Sequence, residues 1–247
     1  MKFKVFSCRV FQPEFEAVRA ESPHEFELEF LDIAEHLQPA VLRRKLQQRI
    51  DETVDGDAIL LGYGLCGTAA AGLCARRIPL VLFRSHDCGG VLLGSRCRFE
   101  EIFRPMPSTP FASAGMVSAG QPYFSDGMAA GGGTYAEWVE QYGEEEAQYL
   151  RDALHPRLDG RLQPIFFIHT VPAPEAVAAC RACAAQEERE FRELEGSLQL
   201  VRMLLAGDWT EADFLVVPPG HRVHHTGDWE RIMVSVPSAA VSVRPDV

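Results

Sequence analysis

Four short runs constrain the fold of this chain more than anything else in it. Residues 57–63 (DAILLGY), 79–83 (PLVLF), 164–169 (PIFFIH) and 213–217 (DFLVV) are dominated by apolar residues, with no polar alternation. That is the mark of strands buried on both faces, the environment of a parallel sheet. Helix-period segments separate them. Pro39 opens PAVLRRKLQQRIDETV, in which Val41, Leu42, Leu46, Ile50 and Val54 recur at helical spacing and the proline is tolerated in the first turn. Gly64 breaks the run at 57–63, and residues 68–77 follow as a small-residue helix. Residues 134–154 read as one helix, 173–195 as a charged helix, and 198–205 as an apolar helix ended by Gly207. Two more strands precede these, KFKVFS at 2–7 and the alternating EFELEF at 25–30. The alternation predicts a Rossmann-like α/β fold, an open, mostly parallel sheet with helices on both faces.

With 247 residues and no internal repeat, the economical organisation is a single α/β domain over 1–220. Residues 105–133, rich in Pro, Gly, Ser and Ala, form a long insertion that reads equally as a functional loop or lid and as a plain connection. The tail, 221–247, either adds an edge hairpin or trails over the surface.

Charge and apolar patterning exclude several function classes. The net charge is −11 and no window forms a basic stripe, so nucleic acid is not an expected partner. No apolar run approaches the length of a membrane helix, and charges interrupt the first residues too early for a signal peptide. A cytoplasmic protein is expected. Its seven cysteines, an odd number, then read as reduced thiols. There is no P-loop, no G-x-S-x-G elbow and no H-E-x-x-H, and Gly64-x-x-Gly67 is not a dinucleotide fingerprint.

The cysteine positions carry the chemistry. In an open α/β sheet, ligands bind outside the carboxyl ends of the strands. Cys8, Cys66 and Cys88 each follow a predicted strand, so parallel strands bring three thiols to one rim. Any one of them alone reads as a small buried hydrophobe. Arg84-Ser85-His86-Asp87-Cys88 adds an imidazole two residues from a thiol. Cys8, Cys66, His86 and Cys88 are thus candidate ligands of tetrahedral Zn²⁺. Asp87 and Arg84 are candidate catalytic residues, Asp87 by binding substrate or orienting a ligand, Arg84 by pairing with a substrate anion or favouring a thiolate. Tyr63, Gly67 and Ser95 are candidate substrate contacts, and His36 stands within reach of the same rim in the linear order. Against these, an ordinary capped polar loop accounts for the same residues. Cys180-Arg-Ala-Cys183 has redox spacing but sits inside a charged helix, and core packing explains it better. The histidines at 221, 224 and 225 read as a solvated loop or an adventitious site.

Gly62-Tyr63-Gly64-Leu65-Cys66-Gly67, Arg84-Ser85-His86-Asp87-Cys88 and Leu92-Leu93-Gly94-Ser95 resemble signature blocks of the domain-of-unknown-function family DUF1638. Cys8, the stretch 31–39 around His36, Leu194-Glu195-Gly196 and Gly207-Asp208-Trp209 with 213–220 extend the likeness over about residues 1–220. The resemblance implies a place among genes for corrinoid-dependent methyl transfer, with a corrinoid protein or methyltransferase as partner, and supplies no activity. Departures stand at Thr68-Ala69, Gly89-Gly90 and His169-Thr170. The Cys/His set is also similar, in ligand type alone, to the zinc site of thiol-activating methyltransferases.

Three readings follow. One is a zinc-thiolate site acting on a small thiol or methylated substrate beneath residues 115–133. Another is a [4Fe–4S] cluster on three cysteines. The third is a metal-free module binding a small anion or cofactor through Arg84, Ser95 and backbone amides, with bare cysteine nucleophiles as a variant.

Overall fold

A computed structural model describes residues 1–32, 38–106, 109–120, 123, 135–154, 157–158 and 161–238. His36 lies outside the described residues, as do 121–122 and 124–134 of the Gly-rich stretch. In chain order the first half contains β1 (Lys2–Cys8), α1 (Gln12–Val18), β2 (Glu25–Leu31), α2 (Pro39–Glu52), β3 (Ala58–Gly62), β4 (Leu80–Phe83), α3 (Cys88–Leu92), α4 (Arg96–Phe103), β5 (Phe111–Ala112) and α5 (Ala114–Ser118). The second half contains α6 (Tyr135–Tyr142), α7 (Glu144–Leu154), β6 (Arg157–Leu158), β7 (Arg161–Leu162), β8 (Ile165–His169), α8 (Pro174–Gln186), β9 (Phe191–Glu195), α9 (Gln199–Ala206), β10 (Phe214–Val217), β11 (His221–His225) and β12 (Met233–Pro237). They divide into two compact units, Met1–Val91 with Leu198–Val247, and Leu92–Ser197. Among the described residues, no helix is long and apolar enough to cross a membrane.

The first unit is built on an open five-stranded sheet in the order β2-β1-β3-β4-β10. The first four strands are parallel and β10 is antiparallel to β4. Every residue of β3 and β4 is buried, which suits only the middle of a sheet. The half-exposed alternation of β2 fits an edge. The step from β1 to β2 runs one way along the sheet, and the step from β2 to β3 crosses back over β1. Right-handed crossovers then put α1 and α2 on opposite faces. The reversal between β1 and β3 is the topological switch point of the sheet. Leu42, Leu46 and Ile50 are the buried stripe of α2. Leu200, Val201, Leu204 and Leu205 are that of α9, which stops at Gly207 in a left-handed conformation.

The second unit holds a three-stranded parallel sheet, β5-β8-β9. Ala112, Ile165, Phe167, Cys180 and Ala184 pack at its centre.

Four segments depart from the sequence reading, each for a local reason. Residues 68–77 form turns, not a helix, because Gly67, Thr68 and Gly72 all take positive φ. Their backbone groups bond instead to β11 and its approach: Gly72 N–H donates to Val223 O (2.8 Å), Val223 N–H to Leu73 O (2.9 Å) and Ala75 N–H to His221 O (2.9 Å). The expected helix over 173–195 ends at Gln186, since Glu188 turns left-handed (φ 55°). FRELE then becomes strand β9, parallel to β8. The helix over 134–154 is two helices separated by Gly143 at φ 89°. Within 105–133, Phe111–Ala112 and Ala114–Met116 are buried, so that part of the stretch is core of the second unit and not a lid. In the tail, residues 221–237 form a hairpin, β11 antiparallel to β12, that is a two-stranded sheet of its own.

Candidate functional site

Strand β1 ends at Cys8. After β3 the chain passes through Tyr63-Gly64-Leu65 to Cys66, and after β4 through 84–87 to Cys88. These strands are adjacent and parallel, so the three cysteines lie at one edge of the sheet, with β1 and β3 flanking the switch point. All three are buried.

Backbone hydrogen bonds tie together the two loops that carry Cys66 and Cys88. Leu65 N–H donates to Ser85 O (2.8 Å) and Cys66 N–H to His86 O (3.0 Å). Gly64 allows this approach, because a Cβ there would lie 2.5 Å from the Ser85 carbonyl oxygen. Ser85 Oγ donates to Asp87 O (2.9 Å), and Asp87 Oδ1 accepts from Gly90 N–H (3.2 Å) at the start of α3. On the neighbouring strand, the buried Ser7 hydroxyl donates to Cys8 O (3.2 Å). A Cβ on Gly62 would fall 2.1 Å from that hydroxyl oxygen. Sequence reasoning passed over Ser7; a serine inside an apolar strand, one residue before Cys8, was the available signal.

The Cys66 loop is strained. Cys66, Gly67 and Thr68 take φ values of 47°, 58° and 73° in succession. For residues with a side chain this region costs on the order of 1–3 kcal/mol, and such strain concentrates at functional sites.

The thiols feel one another. Burial pushes the Cys66 thiol up most, Cys8 and Asp87 push it further, and a hydrogen bond from the Gly64 backbone opposes them. Burial is also the first cause of the rise at Cys88, followed by the charges of Asp87, Cys66 and Cys8. Three thiols and a carboxylate therefore share one electrostatic neighbourhood in which each anion disfavours the next. Without a compensating cation, Cys66 and Cys88 stay protonated at neutral pH.

The other candidates are placed as follows. His86 stacks on Trp229 (ring centroids 4.0 Å), with Nε2 3.1 Å from the Trp229 carbonyl oxygen. Arg84 donates through Nε to Glu211 O (3.0 Å) and through Nη1 to Arg231 O (3.1 Å) and Met233 O, which fastens the C-terminal hairpin beside the rim. Tyr63 is buried just after β3, and Gly67 sits in the strained loop. Ser95 belongs to the second unit and caps α4, accepting from Arg98 N–H at 3.3 Å. There the Leu92–Ser95 and Leu194–Gly196 blocks meet, Ser197 N–H donating to Leu92 O (2.8 Å) and Gly196 N–H to His169 O (2.8 Å). Among the described residues, no three His, Cys, Asp or Glu side chains stand arranged to hold a metal ion. The three rim thiols are the donor set whose chemistry suits one.

Fold and site together define an open, mostly parallel α/β protein with buried thiols gathered at the switch point of its sheet. The chain belongs to DUF1638, a protein family of unknown function whose model matches residues 30–205. The Cys66 and Cys88 blocks lie within that span, whereas Cys8, Trp229 and the C-terminal hairpin lie outside it. No curated protein and no solved structure matches the chain.

Proposed function

We propose that Cys8, Cys66 and Cys88 bind a soft divalent metal, zinc in the first instance, and that the site acts on a small thiol or methylated compound. One observation carries the reading: three cysteines at the carboxyl ends of three adjacent parallel strands, around the switch point, within reach of each other's charge. Neutral thiols of raised pKa are weak bare nucleophiles, which argues against metal-free cysteine catalysis. A bound zinc ion holds its ligands, and a substrate thiol, as thiolates at neutral pH. In this chain Asp87 fixes the turn that delivers Cys88, through Gly90 N–H, and adds negative charge that the Cys88 thiol feels. Ser7 fixes the end of β1 at Cys8, and Tyr63 and Leu65, both buried, lead from β3 to Cys66. His86 is held by Trp229, so the three thiols are the primary ligands and His86 stands in reserve.

Titration of the reduced protein with Co²⁺ tests this. Thiolate-to-cobalt charge-transfer absorption saturating at one ion per chain is expected, abolished in Cys66→Ser and Cys88→Ser and retained in Cys97→Ser, whose thiol is exposed. A wild type without the charge-transfer band contradicts the reading.

A further inference from the structure

Helix α2 presents a row of polar side chains, one turn apart, to the irregular segment 68–76 that follows the Cys66 loop. Arg43 Nη2 donates to Thr68 O (2.8 Å) and Nε to Ala69 O (3.4 Å). One turn on, Gln47 accepts from Cys74 N–H (2.8 Å) and donates to Cys74 O (3.2 Å). A turn further, Asp51 pairs with Arg76 (2.7 Å). Positions i, i+4 and i+8 share a helix face, so a straight helix works as a ruler along a segment without regular structure of its own. The first rung is the one that matters for the site. Arg43 reaches the carbonyls immediately after the run of positive φ at Cys66, Gly67 and Thr68. A run of that kind persists only where its surroundings over-determine it. The far side of the loop is fixed by the Leu65 and Cys66 amides on Ser85 and His86, and Gly67 lies against Pro39 at the start of α2. Within the loop, Ala69 N–H donates to Cys66 O (3.0 Å) and Ala70 N–H to Leu65 O (3.2 Å), and Arg43 adds the hold from α2. A surface arginine that served only as charge has no reason to aim two donors at backbone carbonyls; this one makes charge-assisted bonds to an otherwise strained turn.

We propose that Arg43 is a positioning residue for Cys66: it holds the strained loop closed and so keeps the Cys66 thiol turned into the rim, without touching metal or substrate itself. The consequence for metal binding rests on the proposed function; the hold on the loop does not.

The test compares wild type, Arg43→Met and Arg43→Lys, all metal-free and reduced, by the rate at which iodoacetamide alkylates each cysteine, read by peptide mass spectrometry. Arg43→Met is expected to raise labelling of Cys66 about tenfold or more over Cys8 and Cys180, the size of one lost charge-assisted hydrogen bond. Arg43→Lys, keeping one donor, is expected to fall between. General destabilisation raises Cys8 and Cys180 together with Cys66, so a parallel rise, or no change at Cys66, overturns the proposal. In the same proteins, zinc affinity by chelator competition is expected to weaken about tenfold in Arg43→Met, the same lost bond read at the metal. If the wild type takes up no zinc, the metal reading fails by itself, while the labelling ratios still decide the role of Arg43.

Discussion

Two groups of cysteines in this protein both have thiols withdrawn from water, the rim trio and Cys180 fully and Cys183 in part, and they differ in everything else. Cys180 and Cys183 lie one turn apart on the regular helix α8, Cys180 in the core of the second unit and Cys183 partly buried against it. Their thiols are raised to about 12 and about 11, burial acting first in both. Their polar neighbour Glu187 is already matched: it accepts from Tyr123 Oη (2.8 Å) and pairs with the buried Arg189 (2.8 Å). Packing accounts for that pair in full. The rim trio sits at the ends of three adjacent strands, Cys8 closing β1, Cys66 on strained backbone and Cys88 opening α3, with a carboxylate adding to the like charges and the switch point beside it. Burial of thiols is therefore not the mark of a site. What sets the rim trio apart is its topology and the strained backbone at Cys66.

The largest effect that separates the two groups is at Gly64. Its missing Cβ is what lets the Cys66 and Cys88 loops meet, so Gly64→Ala is expected to lower unfolding stability by about 2–3 kcal/mol in denaturant titration, because backbone must move. A loss below about 0.5 kcal/mol, the ordinary surface range, breaks the claim that the loops are locked together. Next comes Arg189→Met, which takes the partner from Glu187. Because Glu187 is one-third exposed, about 2 kcal/mol is expected, less than for a fully buried pair. Metal stoichiometry should not move; if it falls, the second unit contributes to the site and the comparison fails. Cys180→Ala and Cys183→Ala sharpen the contrast further, since both are expected to leave cobalt absorption intact.

The smallest effect is a pH dependence. A thiol whose folded pKa lies above its unfolded value stabilises the fold below the unfolded value, and that contribution is lost as pH rises towards the folded one. For Cys183 the window runs from about 9 to about 11. Melting temperature should decline across it, and the decline should be shallower in Cys183→Ala. An identical slope in the variant removes Cys183 as its cause.

Much of the first unit was legible in the sequence, because unbroken apolar runs such as DAILLGY leave a strand no place but the middle of a sheet. The convergence of Cys8, Cys66 and Cys88 followed from strand ends alone. What escaped depends on contacts distant in sequence. FRELE carries the charge of a helix face, and only pairing with β8 makes it strand β9. Residues 68–77 have the small side chains of a helix, but bonds from α2 and β11 replace helical ones. Arg84, a plausible anion partner by its place in the motif, is directed to carbonyls more than 120 residues away. His86 is turned to Trp229, in a tail whose hairpin has no strong local signal.

The most direct test of the central claim is elemental analysis, with a visible spectrum, of protein purified without air and without a histidine tag. One zinc per chain in a colourless solution, lost in Cys88→Ser, is the expected result. Iron with sulfide in a brown solution replaces zinc with a cluster on the same three cysteines, and absence of any stoichiometric metal contradicts the metal site outright.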